Sequence, residues 1–569
     1  MKPSTRKVIR WLVYLVGGPL LLLVLFLIEE HLRGGIQLEH YVSRMRARGE
    51  KFTIVELMPP PAPPADNGAG LMIGAGFPQN RIVPLQIPGS MRYAAAGAAI
   101  PAVSIRAWSV RGQNEIRLAT NFLRAAENSA YSRSSNETNS PSQPGRGSRA
   151  PSKTWRIVTA HEVAEEIEAN SNTLAQVRAA LSYPQFDHVL PYSQAFTMML
   201  PHLAREKAAS QWLRAASFSA LQQTNTGEAL KNLAALAAFS HMTTNEALMI
   251  SQLVRIAILQ ISVGATWEAL QAEGWNDSQL KELQGAFAPS DFVRSMIGAL
   301  EMERAFGATM IERAAKDPAA LKGLFDMDMD MQWSRISLPE SVEETIEPFS
   351  QLFKNMAPAF NRFIYYPVWA FAWKDQDKLH LLQHWQTSIE SGRAQISRPD
   401  WVANNPDPDQ KMPPGTEVNE EQRRGSAYDR VRYLFSSRLE TLGTKTMTKA
   451  VTAEAAQQLA VAAIAIRRFE MANGRVPGSL DELVPNYLPA VPFDPFDGRP
   501  LRYKRKEVNS FALYSVGTDG KDDGGDTSLG KQSSRPSFLN GVDLIWPRRA
   551  TPEEIQNFIE TETRRSPWR

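Results

Sequence analysis

The sequence predicts a mostly α-helical protein with an N-terminal transmembrane helix, a large all-helical domain, and a small α+β C-terminal domain with a long helix on an antiparallel hairpin. Three observations carry this. Residues 11–28 are apolar and uncharged, residues 154–397 show helical spacing of Ala, Leu and Met, and alternation with turn residues appears near residue 500. A length of 569 residues exceeds one ordinary core and implies about three or four folding units. The absence of cysteine excludes thiol catalysis, disulfides and thiolate metal sites. With 63 Lys+Arg against 60 Asp+Glu, the net charge of +3 supplies no field that would point to nucleic acid as a partner.

The first unit, residues 1–30, is a cytoplasmic tip and membrane anchor. The run WLVYLVGGPLLLLVLFLI gives roughly 27 Å of helix, enough to span a bilayer. Gly17, Gly18 and Pro19 predict a kink that membrane helices tolerate. Lys2, Arg6, Lys7 and Arg10 precede the span, whereas Glu29 and Glu30 follow it, so the positive-inside rule keeps the N-terminus cytoplasmic and sends the rest of the chain outside. A cleaved signal peptide is the competing reading, but no small-x-small site follows Ile28, and a retained anchor is expected.

Residues 31–67 are expected to be a juxtamembrane and Pro-rich stalk, because MPPPAPPAD is stiff and extended. Residues 68–126 form a weakly defined segment with some strand. Residues 127–153, rich in Ser, Pro, Gly and Arg, are expected to be a disordered linker, and the sequon at Asn136 reads there as a random triplet. In the helical domain, residues 154–397, caps mark two starts: Asn276-Asp277-Ser278 before LKELQGAF, and Ser290-Asp291 before FVRSMIGAL. The helix at residues 248–265 is apolar enough to suggest a second span. Ser251, Gln252, Arg255 and Gln260 argue instead for a buried core helix. Residues 398–424 form a Pro, Asn and Asp loop, and residues 425–569 a connecting helix and the C-terminal domain.

Few residues present themselves for chemistry. His380 and His384 share one helix face at metal-binding spacing, but Leu381 stands where a zincin has Glu, so amphipathic-face histidines are the expectation. Asp326, Asp328 and Asp330 start like an EF-hand, but Met331 and Ser337 occupy its glycine and glutamate positions. The aromatic stretch at residues 360–374 reads as core or interface. No nucleophile elbow, Walker loop, HExxH or dinucleotide fingerprint occurs. An enzyme reading, an envelope hydrolase, rests on His380 and His384, or on His202 with an acidic neighbour such as Glu206, and requires titratable groups to converge in a cleft.

The C-terminal domain is the most informative. A helix carrying Leu459, Ala462, Ala463, Ile466, Phe469 and Met471 stops at Asn473-Gly474. Ser479-Leu480-Asp481-Glu482 reads as a capping box, residues 494–498 as a turn, and residues 501–503 and 511–516 as a hairpin. The run RRFEMANGRVPGSLDELVPNYLPAVPFDPFDGRPLRYKR, followed by FALYSVGTDGKDDGGD, resembles the soluble C-terminal part of the major pseudopilin of type II secretion systems over about 100 residues. The resemblance implies a pilin-like fold, a bacterial envelope location and a calcium-binding loop after the second strand. The chemistry of that loop agrees, because calcium takes six to eight hard oxygens. Asp519, Asp522, Asp523 and Asp526 offer carboxylates, Gly517, Gly520, Gly524 and Gly525 let the backbone curl, and Asp543 would close the site from the next strand. A solvated acidic turn is the competing reading.

The sequence therefore predicts a single-pass protein of the bacterial inner membrane with its bulk in the periplasm. Its role is expected to be non-catalytic, through binding of a protein partner, and calcium is the implied ion. An envelope hydrolase or an atypical type II secretion component are the alternatives.

Overall fold

The computed structural model describes residues 3–74, 91–95, 97–101, 160–287, 291–317, 364–405, 427–433, 436, 442–507, 510–526 and 542–565. The linker at 127–153, the Asp326, Asp328 and Asp330 motif, and most of the loop at 398–424 lie outside the described residues. Architecture is mostly helical, with two small three-stranded sheets.

Helix α1, Pro3–Ala47, runs unbroken past Pro19. Leu20 to Leu25, Phe26 and Ile28 are 40–69% exposed, an apolar sleeve that the described residues leave open. The surroundings change at Glu30, which is buried and accepts hydrogen bonds from Gln376 Nε2 (3.0 Å) and Tyr428 Oη (2.8 Å). From there α1 lies on α11 (Lys374–Ser397) at close range: a Cβ on Gly34 would sit 2.7 Å from Gln376 Cγ, so glycine is what lets the two helices meet. Tyr41 and Met45 enter the core.

The structure places residues 31–67 differently from a free stalk. Residues up to Ala47 remain helix, and a short helix α2 (Ile54–Leu57) follows with a Thr53/Glu56 capping box. The polyproline stretch then lies against the body: Ala62 N–H donates to Asp187 Oδ2 (2.9 Å), and Asn67 exchanges two hydrogen bonds with the Asp187 backbone. Proline stiffens that segment, but hydrogen bonds on either side of it dock it.

Helix α3 (Ala69–Gly74) precedes a hairpin of β1 (Met91–Ala95) and β2 (Ala98–Pro101). The helical body comprises α4 (Ala160–Ala169), α5 (Ser171–Leu181), α6 (Pro201–Gln222), α7 (Thr226–Phe239), α8 (Met249–Ala269), α9 (Asp277–Ala286), α10 (Phe292–Lys316) and α11. Asn276 and Asp291 cap α9 and α10 as their sequences predict. Helix α8 is a core helix: Arg255 is buried and donates to Ser240 O (2.6 Å) and Gln252 Oε1 (2.8 Å), the partners a charged group needs away from water.

Short helices α12 (Trp401–Asn404) and α13 (Ala427–Arg432) lead to α14 (Leu442–Asn473), which ends at Gly474 in the left-handed region, φ 67°. Strands β3 (Arg502–Glu507), β4 (Ser510–Ser515) and β5 (Leu544–Trp546) form an antiparallel sheet against α14, in register Tyr503↔Leu513 and Leu513↔Trp546. Strand β6 (Arg548–Arg549) pairs with β2, and α15 (Pro552–Arg565) covers that second sheet. Ser479 does not cap. Glu482 instead accepts from Gly478 N–H (2.8 Å) and pairs with Arg475 (2.9 Å).

The loop at 398–424 does not separate two cores. One apolar cluster runs from Met45 through Trp212, Trp267 and Trp385 to Leu459, Leu513 and Trp546, with α14 packed on α8, α9, α10 and α11 as well as on its sheet. Helix α12 reinforces the join: the N–H groups of Trp401 and Val402 donate to the carbonyls of Pro495 and Phe496.

Candidate functional site

The acidic loop follows β4. A turn of 3-10 helix, Gly517–Asp519, starts it, and Gly517, Gly520, Gly524 and Gly525 all take positive φ. Gly517 is constrained twice, because a Cβ there would also meet Val542 O at 2.2 Å. Asp519 Oδ1 accepts from Lys521 N–H (3.1 Å). Asp522 Oδ1 accepts from Tyr514 Oη (2.8 Å) and Gly524 N–H (3.1 Å), so its carboxyl is held below the usual range chiefly by the tyrosine. Asp523 is exposed.

Asp543 differs from these. It is fully buried on entry to β5, and its Oδ2 accepts from Gly525 N–H (2.7 Å) and Asp526 N–H (3.1 Å). Its Oδ1 is buried without a hydrogen-bond partner among the described residues. Burial pushes its carboxyl up to about 6 against those hydrogen bonds, and the charges of Asp523 and Asp522 push the same way. The structure thus brings Asp543 to the loop, 17 residues from Asp526. The donor set is all oxygen and includes one orphaned buried oxygen, which fits calcium. The carboxylates are not gathered on a point. Among the described residues, three ligand groups come within 4.8 Å of one another only at His188, His202 and Glu206.

That second constellation is assembled from distant segments. His202 and Glu206 lie one turn apart on the buried face of α6. His188 comes from the link between α5 and a 3-10 turn at Tyr192–Thr197, and Glu246 from the link between α7 and α8. His188 Nε2 lies 2.9 Å from Glu206 Oε1, His202 Nε2 lies 3.2 Å from Glu246 Oε2, and the two imidazole rings sit 4.2 Å apart. All four residues are buried. Burial raises the Glu206 carboxyl against the pull of His188, and Glu246 holds His202 above the ordinary imidazole range although burial alone would lower it.

Each member is held in place. Asn67 and Ala62 fix the backbone and side chain of Asp187 next to His188, and Gln252 Nε2 donates to Glu246 O (2.8 Å). Tyr192 Oη accepts from Ala247 N–H (3.2 Å). Sequence reasoning named His202 with Glu206 as an acidic neighbour, whereas His188 and Glu246 carried no local signal. The cluster is closed to solvent, not set in the cleft that the hydrolase reading requires.

His380 and His384 share a face of α11, with the His380 ring stacked on Tyr433 at 4.3 Å, and no third ligand joins them among the described residues. Of the aromatic stretch, Trp369 is buried with its indole N–H on Asp377 Oδ2 (3.1 Å), and Phe371 is half exposed beside His31. Comparison with protein families, with curated proteins and with solved structures gives no match to this chain.

Proposed function

We propose that this chain is a single-pass protein of the bacterial inner membrane whose periplasmic body has a non-catalytic, partner-binding role and carries a calcium-binding loop in a pseudopilin-like C-terminal module. One observation carries the membrane assignment: a single helix exposes an apolar sleeve at residues 20–28 and then buries Glu30, Tyr41 and Met45 in the body. An exposed apolar sleeve is costly in water and favourable in lipid. Aromatic groups collar the point where sleeve meets body, as at a membrane–water boundary. His31 stacks on exposed Phe371 at 4.8 Å, and Tyr428 contacts Trp373 (5.9 Å) and Phe26 (6.4 Å). The basic residues before the sleeve support a cytoplasmic N-terminus.

An anchor that continues as a helix into the core holds the body rigidly at the membrane surface. The closed state of the buried His and Glu cluster, together with the lack of a catalytic motif, supports a role in binding. Expression of the full chain in bacterial cells tests the reading. The chain is expected to remain in carbonate-washed membranes, and its body is expected to be cut by protease added to spheroplasts while an N-terminal tag survives. Recovery in the soluble fraction, or a body protected in intact spheroplasts, overturns it.

A further inference from the structure

The buried cluster at the start of α6 has no part in anchoring and lies apart from the acidic loop. We propose that His188, His202 and Glu206 hold one zinc ion, with Glu246 as the adjoining carboxylate, in a closed structural centre that ties three segments of the helical body together.

Geometry comes first. The ligand atoms of the three residues all lie within 4.8 Å of one another. His188 Nε2 and Glu206 Oε1 are 2.9 Å apart. Donors on a tetrahedral zinc with bonds of about 2.0–2.1 Å are separated by about 3.3 Å, so an ion would enter with small side-chain adjustments.

Charge points the same way. Glu206 and Glu246 are both buried, and among the described residues each pairs with a histidine and with no lysine or arginine. With neutral imidazoles, the form that ligates, the site carries two negative charges that one divalent cation cancels. Two buried imidazolium ions would cancel them as well, at the cost of desolvating four charges. Among the described residues Glu246 Oε1 is also buried without a hydrogen-bond partner, an oxygen that a neighbouring cation would satisfy.

Donor chemistry names the ion. Two imidazole nitrogens with carboxylate oxygen suit zinc, whereas calcium takes six to eight oxygens and no nitrogen. A structural zinc has four protein ligands, and the fourth position here falls to Glu246, whose Oε2 lies 3.2 Å from His202 Nε2 and which is buried like the other three. The supports around the donors, from Asn67 to Asp187 and from Gln252 to Glu246, hold the segments in place before metal arrives.

The experiment uses the full chain in detergent, with metal content by mass spectrometry, thermal unfolding, and cobalt(II) absorption as the probe of coordination. One zinc per chain is expected, with a melting temperature that falls by several degrees on stripping and recovers with zinc but not with calcium. Cobalt(II) should give the visible bands of a tetrahedral site. His188→Gln should lose both signals while keeping its helical circular dichroism. If that variant fails to fold, Glu206→Gln, which retains an oxygen for His188, should bind zinc at least tenfold more weakly. A wild-type chain that takes up neither zinc nor cobalt, or a His188→Gln chain that keeps stoichiometric zinc, overturns the proposal.

Discussion

Glu50 and Glu206 are both buried carboxylates of the same body, and their surroundings treat their charge in opposite ways. Glu50 follows α1, where Gln386 Nε2 donates to it (3.0 Å), Arg304 Nη2 lies at 3.1 Å, and Arg393 grips both its oxygens. Burial alone would raise its carboxyl, but the hydrogen bonds and the two guanidinium charges hold it down at about 2. Glu206 has no arginine, and burial raises it. Asp543 is in the same condition. The difference teaches where an ion is worth seeking. A buried carboxylate given side-chain cations keeps its charge without help, and one without them takes a proton or a metal ion.

The largest expected effect lies at the arginine-paired end of this comparison. Glu50→Ala leaves fully buried Arg304 without its carboxylate, with only the neutral oxygens of Gln386 and Lys51 and the Phe52 ring at 4.5 Å around it, and leaves Arg393 with Glu301 among the described residues. A loss of about 3–5 kcal/mol in urea unfolding is expected, with the contact between α1 and the body loosening first. A loss under about 1 kcal/mol would mean that the guanidinium groups find other partners.

The pH profile separates the two kinds of carboxylate. Glu50 titrates near 2 in the folded chain against an ordinary 4.5, so its stabilisation is complete above pH 4.5 and lost as pH falls from there towards 2. Glu303 runs the other way. Burial raises its carboxyl to about 7 against a hydrogen bond from Met249 N–H, so its contribution is complete below pH 4.5 and lost as pH rises to about 7. Subtracting the melting-temperature profile of Glu50→Gln from wild type should leave a difference that is constant above pH 4.5 and shrinks as pH falls towards 2, and a difference that is flat across that acid range would refute the assignment.

Glu206→Ala is expected to cost less in the metal-free protein, about 1–3 kcal/mol, because it removes one hydrogen-bond partner from a buried imidazole and strands no guanidinium. Asp522→Ala, at a half-exposed carboxylate, should cost under about 1 kcal/mol. Equal losses at the two positions would remove the distinction between an assembled buried cluster and a surface loop.

What the sequence revealed divides along physical lines. Local rules succeeded where local chemistry decides: the caps at Asn276 and Asp291, the stop at Gly474, and the β3–β4 hairpin all depend on residues within a few positions. They failed where a distant group intervened. The polyproline segment was legible as stiff, but Asp187, 125 residues on, decides that it docks. Ser479 had the pattern of a cap, yet its hydroxyl donates to Asp481 Oδ2 (3.3 Å) and accepts nothing from the turn that follows. Composition marked the loop at 398–424 but not the core beneath it. The signal there was α14 itself, where Ala450, Ala453, Ala456, Leu459, Ala462, Ile464 and Ile466 are buried around the helix, too many faces for a helix covered only by a small sheet. The candidate sites follow the same division. The acidic loop is contiguous and legible but not gathered, whereas His188 and Glu246 meet His202 and Glu206 only through the fold.

Calcium itself tests the acidic loop. Because α14 shares its core with the helical body, the measurement belongs on the full chain and not on an isolated C-terminal fragment. If calcium uses Asp543 Oδ1, the ion satisfies that buried oxygen and stabilises the folded chain by about 1.4 kcal/mol at a tenfold excess over Kd. Asp543→Asn retains an oxygen for Gly525 and Asp526 N–H and removes the charge, so the metal-free protein should be no less stable while its response to calcium disappears. Asp519→Asn, whose carboxylate is spent on Lys521 N–H, should respond nearly as wild type does. A melting temperature indifferent to calcium in the wild-type chain would make this loop a solvated turn.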